Sequence, residues 1–336
     1  MDSLEGKVPV ITGASSGIGE ATAEALAAKA VAFGDQATEK GDEMATEVNA
    51  TRDARCDGRV WLITGCSSGF GREIALAALS RGDAVVVTAR RPEALKDLLE
   101  GVPEGRAHPF ALDVTNPGQI RGVVEEATDR LGRIDVLVNN AGYGSVGAVE
   151  EFTMEELREQ FETLFFGAVE LTKAVLPGMR ERGSGAIVQM SSVGGQLAFP
   201  GAGSYHAAKF ALEGLSEALA GEVKPFGIKV LIVEPGGFRT GIGGSRLHRS
   251  QEIGAYQDSV GPAREQVDNM DQTQPGDPEK AARAILAALD AEEPPLRLVL
   301  GADAVEAIRN KLDSTRAELD HWEAVSRDTA LEADRS

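Results

Sequence analysis

Short apolar runs alternate with amphipathic stretches between residues 60 and 300 of this 336-residue chain. Seven of the runs have the length and composition of buried strands, at 60–64, 84–88, 109–112, 134–138, 186–190, 229–233 and 296–300. Apolar residues recur at helical spacing between them, and predict helices that include 71–80, 117–131, 154–182, 205–223 and 278–289. Parallel strands joined by right-handed helical crossovers satisfy this order. The pattern predicts an α/β fold of the Rossmann type, a doubly wound parallel sheet in a single three-layer domain, with ligands bound at the carboxyl ends of the strands.

The opening strand, glycine loop and helix of this pattern occur twice. A first copy spans residues 8–20 around Thr12, and a second spans residues 60–73 around Thr64. Only the second copy is followed by alternating strands and helices, and Pro9 would remove a ladder hydrogen bond from the first. We predict that residues 1–57 are an N-terminal extension, an incomplete and non-functional copy; a second working nucleotide loop is the alternative. The rest divides into a Rossmann domain at 58–301 and a C-terminal helix and tail at 302–336.

Composition and charge indicate which classes of binding partner the protein is not suited to. The net charge of −19 and the isoelectric point near 4.7 argue against binding to nucleic acid or to an anionic membrane surface. The two cysteines, Cys56 and Cys66, are too few for a disulfide framework or a zinc site, which favours a reducing compartment and no metal. The first residues lack the pattern of a signal peptide, and no apolar run approaches membrane-spanning length. We therefore expect a soluble, cytoplasmic protein.

A glycine-rich loop follows the first strand of the predicted domain and opens a helix. It reads Thr64-Gly65-Cys66-Ser67-Ser68-Gly69-Phe70-Gly71. Glycines let the backbone approach a pyrophosphate, and the free amides at the start of a helix favour its negative charge. The alternative is a tight turn without a ligand. We expect Cys66 to be a small packing residue and not a nucleophile.

Two strand ends bear on the choice of nucleotide. Arg90 and Arg91 follow the second strand, where no carboxylate is present to hold the ribose hydroxyls of NAD. Arginines in this place favour the 2′-phosphate of NADP; an ordinary solvated turn is the alternative. Asp113 follows the third strand, and either accepts a hydrogen bond from an adenine amino group or caps the next helix.

A possible acid–base pair opens the helix at 205–223. Tyr205 and Lys209 are four residues apart and share one face of that helix, so that an ammonium lies beside a phenol. A neighbouring cation favours the phenolate and lowers the pKa of a tyrosine toward the working range. Ser192 follows the fifth strand and supplies a hydroxyl to the same region; Ser191 is its rival.

Taken together, these motifs resemble those of the short-chain dehydrogenase/reductase family. The resemblance covers roughly residues 58–301 and rests on the loop from Thr64 to Gly71, Asn139-Asn140-Ala141-Gly142, Ser192, Tyr205-x-x-x-Lys209 and Pro235-Gly236-x-x-x-Thr240. It implies strand order 3-2-1-4-5-6-7, a nicotinamide cofactor, and interconversion of a carbonyl and an alcohol. The cofactor-binding residues that it implies, with the arginine and aspartate above, are Gly65, Ser67, Ser68, Gly69, Phe70, Gly71, Arg90, Asp113, Val114, Asn140, Ala141, Gly142, Tyr205, Lys209, Pro235, Gly236, Phe238 and Thr240.

The resemblance also implies roles for the catalytic residues Ser192, Tyr205 and Lys209. Tyr205 would donate a proton to the carbonyl oxygen in reduction, and its phenolate would be the base in oxidation. Lys209 would lower the pKa of Tyr205 and bind the nicotinamide ribose, while Ser192 would hydrogen-bond the substrate oxygen. NADP(H) is favoured over NAD(H), and the substrate is expected to be an apolar ketone or secondary alcohol of aromatic, steroid-like or polyketide-like character. His206 is expected to be structural.

One position departs from the family pattern. Many family members place an asparagine in the long helix before the fifth strand, where it holds a water that relays protons to the catalytic lysine. The matching position here is Leu164, whose side chain can neither donate nor accept a hydrogen bond. A backbone carbonyl or Thr163 would have to serve instead. The alternative is a protein that uses the same scaffold for non-redox chemistry or ligand binding.

The C-terminal part of the chain carries two further predictions. Residues 241–277 mix Ile242, Leu247, Ile253, Tyr256, Val260 and Met270 with charges and glycines, as in a lid over an apolar cleft; an ordinary surface excursion is the alternative. The last segment places Val305, Ile308, Leu312, Leu319 and Trp322 at helical spacing, which indicates a packing face. By analogy with the family, we expect a homodimer or homotetramer.

Overall fold

A computed structural model describes residues 58–241, 247–270 and 273–329 of the chain. The predicted N-terminal extension at 1–57, with Cys56, lies outside the described residues, as does Ile242 of the predicted lid. The described residues form the predicted α/β arrangement.

A seven-stranded parallel sheet lies at the centre of the fold. Its strands are β1 (Val60–Ile63), β2 (Ala84–Ala89), β3 (Ala107–Ala111), β4 (Val136–Asn139), β6 (Gly185–Met190), β7 (Ile228–Pro235) and β9 (Arg297–Leu300). Their order in the sheet is β3-β2-β1-β4-β6-β7-β9, which confirms the predicted Rossmann topology. Two short strands that the sequence pattern does not predict, β5 (Gly144–Val146) and β8 (Leu247–Arg249), pair in parallel as a separate ladder.

Helices cover both faces of the sheet. They are α1 (Gly69–Ser80), α2 (Lys96–Leu99), α3 (Pro117–Leu131), α4 (Met154–Phe161), α5 (Gly167–Arg182), α6 (Gly203–Val223), α7 (Gln257–Met270), α8 (Pro278–Asp290) and α9 (Ala302–Arg327). The single helix predicted at 154–182 is divided, because a π-helical turn at Glu162–Phe166 separates α4 from α5. The apolar period continues through this turn, so the sequence pattern does not reveal it.

The β1 side chains show how the sheet forms three layers. Trp61 and Ile63 point to the layer that includes α1 and α8, whereas Leu62 points to the opposite layer, which includes α3 and α5. All three side chains are fully buried. The indole Nε1 of Trp61 donates to Asp83 Oδ2 at 2.8 Å, so this large side chain is buried with its polar atom satisfied.

Side-chain caps fix where the helices begin. Asn116 caps α3 by accepting hydrogen bonds from the amides of Gly118 and Gln119. Asp113 instead accepts from Thr115, both from its backbone amide at 3.0 Å and from its hydroxyl at 2.8 Å. The suggestion that Asp113 caps the next helix is therefore wrong, because Asn116 occupies that place.

The C-terminal helix α9 leaves most of its apolar positions in solvent. Ala304, in its first turn, is buried, but Leu312, Leu319 and Trp322 are 61%, 63% and 54% exposed. These three side chains therefore do not cover the cleft, and a role between subunits stays a prediction. Among the described residues, none of the helices combines the length and the apolar character that crossing a bilayer requires.

Candidate active site

A cavity of about 380 Å³ lies at the carboxyl ends of the central strands. Four separate loops and the start of α6 contribute to its wall. The structure thereby brings together the predicted site residues Ser68, Gly69, Phe70, Asn140, Gly142, Ser192, Tyr205, Lys209, Pro235, Gly236, Phe238 and Thr240. Gly65, Ser67, Gly71 and Ala141 belong to the same loops as these residues, whereas Arg90, Asp113 and Val114 follow the neighbouring strands β2 and β3.

The glycine loop between β1 and α1 packs tightly against the loop after β4. A Cβ atom on Gly71 would lie 2.4 Å from Asn140 Nδ2 and 2.6 Å from Gly65 O, so only glycine fits. Asn140 Nδ2 donates to Thr64 O at 2.8 Å, and Thr64 Oγ1 accepts from the amides of Asn140 and Ala141 at 2.9 Å. Gly65 and Gly69 have φ values of 72° and 62°, in the left-handed region.

The start of α1 fits a phosphate-bearing ligand. Ser68 precedes the helix but makes no side-chain capping hydrogen bond, so the first-turn amides are left for another partner. Ser68, Gly69 and Phe70 line the cavity at this point. A dinucleotide pyrophosphate has the charge and the acceptor oxygens that such a helix start binds. The loop residues present therefore fit the predicted cofactor.

Cys66 of the same loop is a packing residue. Its side chain is fully buried, and Sγ lies 3.2 Å from the backbone oxygen of Ile63. Burial raises the pKa of the Cys66 thiol to about 12, because a thiolate would lose its solvation there. A neutral, enclosed thiol is not a nucleophile at neutral pH, in agreement with the sequence prediction.

The residues predicted to hold the adenosine half lie at the ends of β2 and β3. Arg90 and Arg91 are exposed directly after β2. Val114 is buried and packs against Gly167, whose absence of a side chain permits the contact: a Cβ atom there would lie 2.6 Å from Val114 O. Because Arg90 and Arg91 are exposed, their side chains are accessible to a ligand, whereas Val114 belongs to the core.

Tyr205, Lys209 and Ser192 converge on the cavity. The Tyr205 hydroxyl hydrogen-bonds Ser192; burial raises the pKa of Tyr205, and the hydrogen bond from Ser192 opposes that rise. Lys209 Nζ donates to Met190 O at 2.6 Å and lies 5.7 Å from the centre of the Tyr205 ring. Burial lowers the pKa of Lys209 to about 8, while the nearby charge of Glu213 acts in the opposite direction.

The neighbours of these three residues have distinct places. Ser191 is 4% exposed, and its Oγ has no hydrogen-bond partner among the described residues, whereas Ser192 contacts Tyr205. This contact favours Ser192 over Ser191. His206 is 2% exposed, and its Nδ1 donates to Gly194 O at 2.9 Å, since a carbonyl oxygen can only accept. Its ring also packs edge-on against Phe199, in keeping with a structural role.

Leu164 lies in the π-helical turn and is 2% exposed. It packs against Gly142, where a Cβ atom would lie 2.6 Å from Leu164 Cδ2. Leu164 also lines a second cavity of about 10 Å³, which Thr163 and Lys209 line as well. The Thr163 side chain hydrogen-bonds Tyr143, and its suggested role in proton relay stays a prediction.

The segment predicted as a lid forms one wall of the cavity. Leu247 of β8 and Ala263, Val267 and Met270 of α7 line it. The buried Glu151 anchors this wall: it pairs with the Arg264 side chain and accepts from the amides of Ile253, at 2.8 Å, and Ala148, at 2.6 Å. Gln274 also lines the cavity, and is 3% exposed with no hydrogen-bond partner for its side-chain amide among the described residues.

Sequence reasoning missed a charged cluster next to Lys209. Glu213 of α6, Glu234 of β7, Arg297 of β9 and Gln196 meet there, drawn from four distant parts of the chain. One signal was available: Glu213 continues the helical face of Tyr205 and Lys209 by one more turn. The lining residues of the lid and the Glu151–Arg264 pair carry no comparable signal.

A Rossmann sheet with a glycine-rich first loop and a Ser–Tyr–Lys group at its carboxyl edge defines the class of Rossmann-fold oxidoreductases. A family model described as short chain dehydrogenase matches residues 59–251. The chain belongs to the short-chain dehydrogenase/reductase family, which confirms the resemblance found in the sequence.

Individual relatives agree with this assignment. Oxidoreductase BOA17 of Botryotinia fuckeliana is 41% identical over 268 residues, which cover 80% of this chain and 98% of that protein. A 3-ketodihydrosphingosine reductase of Bacteroides thetaiotaomicron is 46% identical over 188 residues, 56% of this chain and 67% of that protein. The crystal structure of a short-chain dehydrogenase from Streptomyces avermitilis superposes with a TM-score of 0.77 at 56% identity, and covers 81% of this chain and 100% of that one.

Proposed function

We propose that the protein is an NADP(H)-dependent oxidoreductase that interconverts a carbonyl and a secondary alcohol on a fairly apolar small molecule. The observation that carries this proposal is the meeting of Ser192, Tyr205 and Lys209 with the glycine loop around one cavity. A hydride carrier held by the loop would then lie beside a group that handles protons. The name of the Bacteroides relative, a reductase of a ketone, supports the same type of reaction.

Tyr205 is the acid and base of the proposed reaction. In reduction its hydroxyl donates a proton to the carbonyl oxygen, and Ser192 donates a hydrogen bond to the same oxygen as charge develops on it. In oxidation the Tyr205 phenolate takes the proton of the alcohol. The cationic Lys209, whose Nζ lies 5.7 Å from the centre of the Tyr205 ring, stabilises that phenolate. The cofactor, when bound, supplies or takes up the hydride.

The preference for NADP(H) rests on the end of β2. Arg90 and Arg91 are exposed there, where a guanidinium can pair with a 2′-phosphate. We expect Arg90→Ala with Arg91→Ala to weaken NADPH binding at least tenfold and to leave NADH binding nearly unchanged. Titration of the bound nicotinamide fluorescence measures both affinities. An equal loss for the two nucleotides would exclude the arginines as phosphate ligands.

The cavity wall supports the proposed substrate class. Apolar atoms make up the larger part of the cavity surface, and the apolar side chains come from several elements; they include Val146, Leu164, Phe199, Leu247, Val267 and Met270. A bulky aromatic, steroid-like or polyketide-like ketone has the matching surface.

The test of the whole proposal is the loss of NADPH absorbance with a panel of such ketones. Wild-type turnover that Tyr205→Phe abolishes, and that Ser192→Ala reduces far more than Ser191→Ala, would support the assignment. Tight NADPH binding without turnover of any ketone would instead favour the second candidate, a non-redox enzyme or ligand-binding protein on this scaffold. The observation that favours that candidate is Leu164, a buried leucine near Lys209 where many relatives carry a proton-relay asparagine.

We also propose that the protein is a homodimer or homotetramer. The exposed apolar residues Leu312, Leu319 and Trp322 of α9 support this proposal, because contact between subunits would remove them from water. Light scattering after size-exclusion chromatography measures the mass directly. A mass of 35.3 kDa would mean a monomer and would contradict the proposal.

A further inference from the structure

Glu213 is a buried carboxylate that the proposed reaction does not use. It follows Lys209 by four residues in α6, so the two side chains share one face of the helix. Glu213 is 4% exposed and Lys209 is 6% exposed. In such surroundings water screens the interaction between the two charges only weakly. The charge of Glu213 thus acts on the lysine that stands beside Tyr205.

A second carboxyl group, that of Glu234, lies against Glu213. Gln196 Nε2 is 3.2 Å from Glu213 Oε2 and 3.0 Å from Glu234 Oε1. Arg297 Nε is 3.2 Å and 3.3 Å from the same two oxygens. Glu234 is 1% exposed, so solvent screens the repulsion between the two groups only weakly. Two carboxylates that converge on one pair of donors repel each other, and the arrangement favours the form in which they share a proton.

We propose that Glu213 and Glu234 are a positioning pair, which shares one proton and provides the counter-charge that keeps Lys209 cationic next to Tyr205. This role rests on the proposed function, in which the charge of Lys209 sets the proton affinity of Tyr205. It deepens that function by naming what controls the lysine. Neither glutamate touches the reacting atoms, so both act through Lys209.

The pair gains negative charge in the pH range in which Lys209 begins to lose its proton. Burial and the neighbouring Glu213 raise the pKa of Glu234 to about 7, whereas burial lowers the pKa of Lys209 to about 8. As the pH rises through neutrality, the pair loses its shared proton and gains one negative charge. That charge opposes the loss of the proton from Lys209. Besides Lys209, the charged group of the described residues that contacts the pair is Arg297, whose Nη2 lies 2.8 Å from Glu217 Oε2.

The test is a titration of Lys209 itself, by NMR of protein labelled with ¹³C at lysine Cε. The Lys209 signal is assigned by its loss in Lys209→Met. We expect Glu213→Gln to lower the proton affinity of Lys209 by about tenfold, because a nearby negative charge is removed. The matched control is Glu217→Gln, one turn further along α6 and 64% exposed, which contacts the same arginine. The control should leave the titration of Lys209 unchanged.

Two results would overturn the proposal: an unchanged Lys209 titration in Glu213→Gln, or an equal shift in Glu217→Gln. Glu234→Gln gives a second measurement that does not depend on how Glu213→Gln folds. In the wild type, the Lys209 signal should show an additional inflection near pH 7, where the pair titrates. Glu234→Gln fixes one charge on the pair, so that inflection should vanish. Its persistence would also overturn the proposal.

Activity measurements separate this proposal from the function on which it rests. In an active enzyme, the high-pH limb of kcat should move to lower pH in Glu213→Gln together with the Lys209 titration. If the wild type turns over no ketone while Glu213→Gln still shifts Lys209, the proposed function fails and the counter-charge pair stands. If ketones are reduced and Lys209 does not shift, only the pair is refuted.

Discussion

The buried Glu234 should make the folded protein less stable as the pH rises, and Glu234→Gln should remove that effect. Burial and Glu213 raise the pKa of Glu234 from 4.5 to about 7 in the folded state. Below pH 4.5 the group is protonated in both the folded and the unfolded chain and contributes no difference. Between pH 4.5 and 7 the unfolded chain gives up the proton first, so the free energy of unfolding falls. Above pH 7 the loss is complete.

The size of the effect follows from the same pKa. Each unit of difference between the folded and the unfolded pKa is worth about 1.4 kcal/mol, so a rise from 4.5 to about 7 amounts to about 3 kcal/mol. A glutamine keeps the shape of the side chain. Its carbonyl can accept from Gln196 and Arg297, while its amide can donate to Glu213. Glu234→Gln should therefore fold normally and carry no charge to titrate.

The assay is urea unfolding of the wild type, Glu234→Gln and the control Glu217→Gln at pH values from 5 to 8. Other titrating groups affect all three proteins alike, so the informative quantity is the difference in unfolding free energy from the wild type. For Glu234→Gln this difference should move by about 2.5 kcal/mol in favour of the variant between pH 5 and pH 8, because part of the total effect is already lost at pH 5. For Glu217→Gln it should stay within about 0.5 kcal/mol. Parallel pH profiles for the wild type and Glu234→Gln would refute the shared-proton arrangement.

Three further substitutions test separate parts of the site. Gly71→Ala places a Cβ atom 2.4 Å from Asn140 Nδ2; it should weaken NADPH binding in a fluorescence titration by tenfold or more, whereas Gly122→Ala, with no atom within 4 Å, should not. Equal affinities in the two variants would contradict the tight packing of the loop. Leu164→Asn should raise kcat and alter its pH profile if proton relay limits turnover, and Leu164→Met should do neither; an asparagine variant with unchanged kinetics would show that Leu164 does not limit the relay. Gln274→Leu replaces a buried amide that has no partner among the described residues. It should raise the stability of the ligand-free protein, measured by urea unfolding, by about 1–3 kcal/mol; a loss of stability would mean that the amide is already satisfied.

The five inner strands of the sheet could be predicted because they are buried on both faces. Runs such as Val85-Val86-Val87 are continuous apolar segments bounded by polar turns, and the structure places them in the sheet. The two strands of the small ladder, β5 and β8, have three residues each and are separated by about a hundred positions. No local pattern distinguishes such short segments from loops, and only the tertiary contact makes them strands.

The candidate site could be predicted where its functional residues lie close together in the sequence. The glycine loop and Tyr205-x-x-x-Lys209 are local motifs, and the structure places both at the same cavity. The π-helical turn around Leu164 was not predicted, because one extra residue in a turn barely changes the apolar period. Glu234 could not be recognised as a partner of Glu213, since it lies in the apolar strand β7 and its neighbours come from the adjacent strand β9, from α6 and from Gln196.

The buried Trp61 gives this protein a built-in optical probe. The chain has two tryptophans, and the other, Trp322, is 54% exposed on α9, so iodide should quench the two to different extents. In Trp322→Phe, all remaining indole emission would come from the middle of the sheet, three residues before the start of the glycine loop. Nicotinamide in its reduced form absorbs where a shielded indole emits. Energy transfer from this one residue would then report nucleotide binding in real time, and a red shift of the same emission would report unfolding of the sheet.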